Sequence, residues 1–272
     1  MIYKSGSTGE LLELSGERIK AHLRTSELYD YEWEVDAIEQ RMGSRIRSFR
    51  RKASENELVV DFSGNKMERK EAADRFFGLV EADIIQEKPG KLFLGEYYKT
   101  CYMIKAKNDG QQERSNIVRI KMGVYAEYPF WIKETSYTFK SADITSTSNK
   151  RYGYRYGYRY ASGMKDTYIL NEHFAPAQFR LRIYGPCVNP LIAIGGRIYT
   201  VHTILEDGEY LEVDSMAQTV IKTMMNGTKV NLFHYRGLDI FQKILPGKQV
   251  VSWDGKFDFD ITLFKERSEP KW

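Results

Sequence analysis

The chain has 272 residues, 42% hydrophobic and 29% charged, an ordinary composition for a soluble globular protein and long enough for two domains. Its 41 basic and 37 acidic residues leave a net charge of +4, too balanced for bulk attraction to nucleic acid. Two cysteines, Cys101 and Cys187, are too few for a disulfide scaffold or a metal cluster, and no apolar run reaches membrane-spanning length.

The amino terminus, Met1-Ile2-Tyr3-Lys4, lacks a signal-peptide core, so synthesis in the cytoplasm with reduced thiols is expected. Ser5 to Gly9 reads as a flexible loop after a short first strand. Leu11 to Leu14 is a strand candidate. So is Tyr29 to Val35, where Tyr29, Tyr31, Trp33 and Val35 alternate with acids as in a half-buried strand. Arg45 to Lys52 alternates less cleanly, because Ile46 and Phe49 fall out of step among arginines. Leu58 to Phe62 is a compact apolar run ending at Ser63-Gly64.

Asn65 and Glu68 predict a capping box. The helix behind it carries Ala73, Phe76, Phe77 and Val80 at helical spacing, a stripe that packs on a sheet. Lys88-Pro89-Gly90 is a turn, Leu92 to Tyr98 and Cys101 to Ala106 read as strands, and Ile117 to Tyr125 closes the unit. Pro129 marks a transition, and Ser141 to Asn149 is a connecting loop.

Arg151 to Tyr160 follows with tyrosine at every even position, Tyr152, Tyr154, Tyr156, Tyr158 and Tyr160, and arginine or glycine between. That period of two makes an extended ribbon which closes no core alone and must lie on a surface or a neighbouring subunit. The basic clusters Arg41–Lys52 and Lys150–Arg159 read as solvated faces. Beyond the ribbon, turns at Gly195-Gly196, Asp207-Gly208, Asn226-Gly227 and Asp254-Gly255 predict four hairpins without helices, as in a two-sheet sandwich or jelly roll.

Chemistry is sparse. His22, His173, His202 and His234 are scattered, with none at metal-ligand spacing and none beside a nucleophile motif. The chain has no phosphate-cradling loop and no zinc-protease motif. Asp258 and Asp260 alternate with Phe257, Phe259 and Ile261, which makes them the wet face of a strand rather than a glycosidase pair. The expectation is therefore no enzyme, no cofactor and no metal, but an assembly or binding component whose aromatic share of 14% suits interfaces.

Several stretches, in their order, resemble the distal tail (Dit) proteins of long-tailed phages of Gram-positive bacteria. They are Lys88 to Tyr98, Tyr128-Pro-Phe-Trp-Ile132, the tyrosine ribbon, Ile183-Tyr-Gly-Pro-Cys-Val-Asn-Pro190, and Glu266 to Trp272. The ribbon departs from a common form of the family by carrying arginine where aspartate often stands. The resemblance implies a mainly β protein in two domains. Residues 1–135 would be a tail-tube-like β-sandwich with a flanking α-helix, closing into a hexameric ring. Residues 136–272 would be a galectin-like β-sandwich, with the last strand able to return to the first domain. It implies a hub at the virion tail tip, assembled in the host cytoplasm. The hub would join the tail tube protein to the tail-associated (Tal) protein and to receptor-binding or baseplate proteins, with DNA only in transit and no membrane.

Candidate assembly or partner contacts are Tyr152, Tyr154, Tyr156, Tyr158, Trp131 and Trp272. The rival reading is a carbohydrate-binding module that stacks sugar on Trp253 or on the ribbon.

Overall fold

The computed structural model describes residues 1–111, 116–141 and 167–270. The chain forms two compact units, Met1–Lys133 with Glu266–Trp272, and Glu134–Lys265. The tyrosine ribbon and Trp272 lie outside the described residues.

In the first unit the strands are β1 (Ile2–Lys4), β2 (Leu11–Glu13), β3 (Ile19–Ala21), β4 (Glu34–Glu39), β5 (Ser44–Arg50) and β6 (Ser54–Ser63). Helix α1 (Lys66–Ile85) follows, then β7 (Gly90–Leu94), β8 (Tyr97–Gln111), β9 (Ile117–Ala126) and the start of β10 (Trp131–Phe139). β8 serves two sheets. Its first residues pair with β7, which pairs through β1 to β2, and the remainder pairs with β9, which pairs through β6 to β3. The ladder slips between Met103 and Lys105. An irregularity of this kind lets one strand turn from one layer into the next.

Helix α1 begins as the sequence predicts. Asn65 accepts from the Met67 and Glu68 amides, and Glu68 reaches back to the Asn65 amide. Its buried face is Ala72, Phe76, Leu79 and Val80, with Ala73 and Phe77 packed at the margin. Phe76 and Phe77 meet Phe62 of β6 with ring centroids 5.6 and 6.2 Å apart. Leu58, Val60, Met103, Met122 and Val124 complete the core beneath them. Ser5 to Gly9 is not the loose loop expected from its composition, because it is wrapped around the buried carboxylate of Asp83 near the end of α1.

The second unit has β11 (Tyr168–Asn171), β12 (Gln178–Tyr184), β13 (Cys187–Val188), β14 (Leu191–Ile194), β15 (Arg197–Thr200) and β16 (Ile204–Leu205). It continues with β17 (Tyr210–Asp214), β18 (Thr219–Thr223), β19 (Lys229–Asn231), β20 (Gly247–Trp253) and β21 (Phe259–Arg267). One layer runs β19-β18-β17-β12-β21 and the other β11-β20-β14-β15. Their inward residues alternate, as in the buried Phe179, Leu181 and Ile183 of β12, and form one core with Phe259, Ile261, Ile192 and Tyr199.

Two of the four expected hairpins form, β14–β15 across Gly195-Gly196 and β18–β19 across Asn226-Gly227. The other two turns form without the pairing. Gly208 and Gly255 take the left-handed φ values of 77° and 72° that the turns need. Yet β16 pairs with β13, β17 pairs with β12 and β18, and β20 leads across to β21 in the opposite layer. Glycine specifies the reversal of the chain, while burial of the apolar face selects the partner strand.

Candidate assembly surface

Strands β4 and β5 pair only with each other and with no other described strand. Their register explains the broken alternation of Arg45 to Lys52. Asp36 faces Ser48 but Ala37 faces Ile46, so Arg47 is an inserted bulge residue. The bulge brings Ile46 onto the face already held by the Val35–Phe49 pair. That face is left open, with Val35 54%, Ile46 52% and Phe49 57% exposed. At the tip Met42 is 92% exposed. A two-stranded ribbon with an uncovered apolar face is at best marginal in water, and such a patch marks an interaction surface.

The root of the hairpin is well fixed. The Arg51 guanidinium lies 5.4, 5.6 and 4.8 Å from the ring centroids of Tyr31, Trp33 and Phe130. Burial there holds Arg51 below its ordinary pKa. The run Tyr29 to Val35, expected as a half-buried strand, instead keeps Tyr31, Trp33 and Val35 exposed, and the ladder begins only at Glu34. The aromatic residues clasp Arg51 rather than a sheet.

Beside the root is an open groove of about 440 Å³ lined by Glu27, Asp30, Glu32, Lys52, Ser54 and Asn56. The Asn56 amide donates to the Glu27 and Asp30 carbonyls at 2.9 and 3.2 Å, which fixes the groove wall. Behind Asn56 sits Lys99, whose ammonium donates to Asn56 Oδ1 at 3.4 Å and lies 5.2 Å from the Trp131 ring centroid. Lys99 is buried, and desolvation pulls its pKa down to about 8. Lys52 pairs with Glu34, and this hydrogen bond raises its pKa.

Of the residues singled out in the sequence, Trp131 is fully buried in the core of the first unit and presents no ring surface there. Tyr152, Tyr154, Tyr156, Tyr158 and Trp272 fall outside the described residues. Trp253 does not offer the open face that a sugar platform needs. It is buried against Phe139 and Phe259, with ring centroids 5.6 and 5.2 Å away, and its indole donates to the Phe257 carbonyl at 3.1 Å. Asp258 and Asp260 have separate partners, since Asp258 accepts from the Ser141 amide and Asp260 from the Tyr184 hydroxyl. His22 Nε2 donates to the Asp61 carboxylate at 2.7 Å, and Asp61 also accepts a two-pronged bond from Arg119. Among the described residues no three His, Cys, Asp or Glu side chains gather as metal ligands, and no helix is long and apolar enough to cross a membrane.

No protein-family model and no curated protein matches the sequence. Solved structures do match the fold. The crystal structure of the SPP1 Dit (gp 19.1) protein, called a paradigm of the hub adsorption apparatus in phages infecting Gram-positive bacteria, is 11% identical. It aligns over 98% of this chain and 100% of its own, with a TM-score of 0.58. Chains of the phage P2 baseplate in its activated conformation are also 11% identical and align over 99% of both chains. Their TM-scores are 0.63 with calcium and 0.61 with strontium. At that identity the likeness is one of fold, and it runs from end to end, over both β-rich units of this chain.

Proposed function

We propose that the protein is a structural hub of a phage tail tip, a subunit that tiles into a six-membered ring. The first unit closes the ring, and the second, galectin-like, projects outward. The ring joins the tail tube protein to the tail-associated protein and to receptor-binding or baseplate proteins, and DNA passes through its centre. The observation that carries this reading is alignment over at least 98% of the chain with a Dit protein and with baseplate chains. An isolated module grafted onto another architecture would align over one unit only.

One feature of the subunit supports it: the hairpin leaves apolar surface for a neighbour, with Val35, Ile46 and Phe49 each more than half exposed.

The test is mass photometry together with negative-stain microscopy of the purified protein, alone and with a tail tube partner. The expected species is six times the 31.7 kDa subunit, with a central channel. A monomer that stays single with every tail partner and binds glycans saturably would overturn the reading in favour of a carbohydrate-binding module.

A further inference from the structure

The β4–β5 hairpin and the groove at its root are complementary, and one subunit cannot join them. Three arginines toward the far end of the hairpin, Arg41, Arg45 and Arg47, form no ion pair among the described residues. Three acids of the groove, Glu27, Asp30 and Glu32, likewise form none. Of the other charges, Arg50 pairs with Asp36, Lys52 with Glu34 and Glu55 with Lys105, while Glu39 at the tip and Arg51 beside the groove form no ion pair among the described residues. The balance of unpaired charge is thus positive, three arginines against one acid, on the hairpin, and negative, three acids against one arginine, at the groove. Six paired positions of extended chain, about 20 Å, separate the tip with Arg41 from the root, so the tip cannot fold back on its own groove.

We propose that the hairpin of one copy of this chain seats in the root groove of the next. Arg41, Arg45 and Arg47 would lie among Glu27, Asp30 and Glu32, with the Val35–Ala37–Ile46–Phe49 face covered by the neighbour. This deepens the ring reading above and rests on it. A contact between two different patches is head-to-tail, so it leaves a free tip and a free groove on every added copy until a ring closes. The aromatic clasp on Arg51 and the Asn56 bonds hold the groove in place before the partner arrives, which lowers the ordering needed on contact. The arginines supply register and a salt-sensitive approach, and the apolar face supplies adhesion.

Charge reversal tests it. Arg41→Glu, Arg45→Glu and Arg47→Glu together should reduce the assembled fraction at least tenfold. The same loss is expected for Glu27→Arg, Asp30→Arg and Glu32→Arg. All six changes in one chain should restore assembly, which separates loss of the contact from failure to fold. In parallel, Met42→Cys with Glu32→Cys, in a chain carrying Cys101→Ser and Cys187→Ser, should give an oxidation ladder of dimers and higher species. Neither single-cysteine chain should give more than dimer. If wild-type rings form and the tip triple forms them equally well, the hairpin contact is wrong while the ring stands. If no ring forms under any condition but the ladder appears, the contact stands and the closed ring is wrong. With neither ring nor ladder, both fail.

Discussion

The Tyr3 hydroxyl donates to the Asp83 carboxylate at 2.6 Å, joining the first strand to the last turn of the helix across 80 residues of sequence. Both side chains are buried. Ser5 Oγ, the Gly6 amide and the Ser7 amide donate to the same carboxylate at 2.6, 3.1 and 2.8 Å. A buried carboxylate alone would be costly, and this one is made tolerable by donors from a single loop.

Asp83→Asn should therefore destabilise the first unit by about 3 kcal/mol, because the amide turns two N–H groups toward fixed backbone donors. The acid limb of the stability curve checks the cause. Burial pushes the Asp83 pKa up, but the bonds from Ser5, Ser7 and Tyr3 together outweigh it and hold the carboxyl below its usual range. Its contribution is then complete above the ordinary aspartate value of about 3.9 and is lost as pH falls through the lower folded value. Denaturant melts of the Asn variant should lose stability less steeply below pH 4 than the wild type. An equal slope would mean that Asp83 is not part of the acid response.

Gly90→Ala tests the same junction by sterics. A Cβ at Gly90 would stand 2.2 Å from the Tyr3 hydroxyl and 2.4 Å from the ring carbon that bears it. Tyr3 faces Leu92 across the ladder and cannot retreat without opening the β1–β7 pairs. A loss of about 2–4 kcal/mol is expected. Tyr3→Leu removes the obstructing atoms at its own cost, so Gly90→Ala should be nearly neutral in that background. Additive losses in the double-mutant cycle would show that the two positions do not touch.

Much of the local structure was legible in the sequence, and little of the long-range pairing. The Asn65–Glu68 cap and the two pairing turns at Gly195-Gly196 and Asn226-Gly227 depend on residues a few positions apart, so the local code suffices. The turns at Gly208 and Gly255 were equally readable, but the chain beyond them joins strands that local sequence does not name. The Ser5–Gly9 loop looked free because its anchor, Asp83, is some seventy-six residues away. The hairpin surface was half visible. Ile46 and Phe49 fell out of step because of the bulge at Arg47, and only the register reveals that this misstep aligns one apolar face.

Lys99 gives a prediction of opposite sign. Its buried ammonium has no carboxylate partner among the described residues, and is held by a 3.4 Å bond to Asn56 and the face of Trp131. Lys99→Met keeps the length of the side chain and removes the charge, and should stabilise the first unit by about 1–3 kcal/mol at pH 7. In the first unit, where Lys99 lies, the pH dependence between about pH 8 and 10 follows from two groups. Lys99 is pulled from 10.5 to about 8, so above pH 8 the folded chain has released a proton that the unfolded chain still holds, and stability rises. Burial pushes Cys101 from 9.0 to about 12, so above pH 9 the unfolded thiol ionises first and stability falls. Between pH 8 and 9 the lysine acts alone. Wild-type stability should climb there by about 1 kcal/mol, then flatten, and in Lys99→Met the climb should vanish. A climb that persists in the variant would assign it to another group.

Trp253 separates the structural reading from the sugar-binding one by a single substitution. A platform tryptophan exposes one ring face, so its removal abolishes ligand binding and leaves the fold nearly unchanged. Here the ring is enclosed by Phe139 and Phe259, and its N–H is satisfied by the Phe257 carbonyl just beyond the Asp254-Gly255 turn. Trp253→Ala should open a cavity and remove a bond that fixes the turn, with a loss of about 3–5 kcal/mol in the second unit. Trp253→Phe restores most of the volume but not the donor, and should recover more than half of that loss. Thermal melts of the two variants check both numbers. An alanine variant that melts within a degree or two of the wild type, and loses binding to a glycan that the wild type holds, would return the second unit to the carbohydrate-binding class.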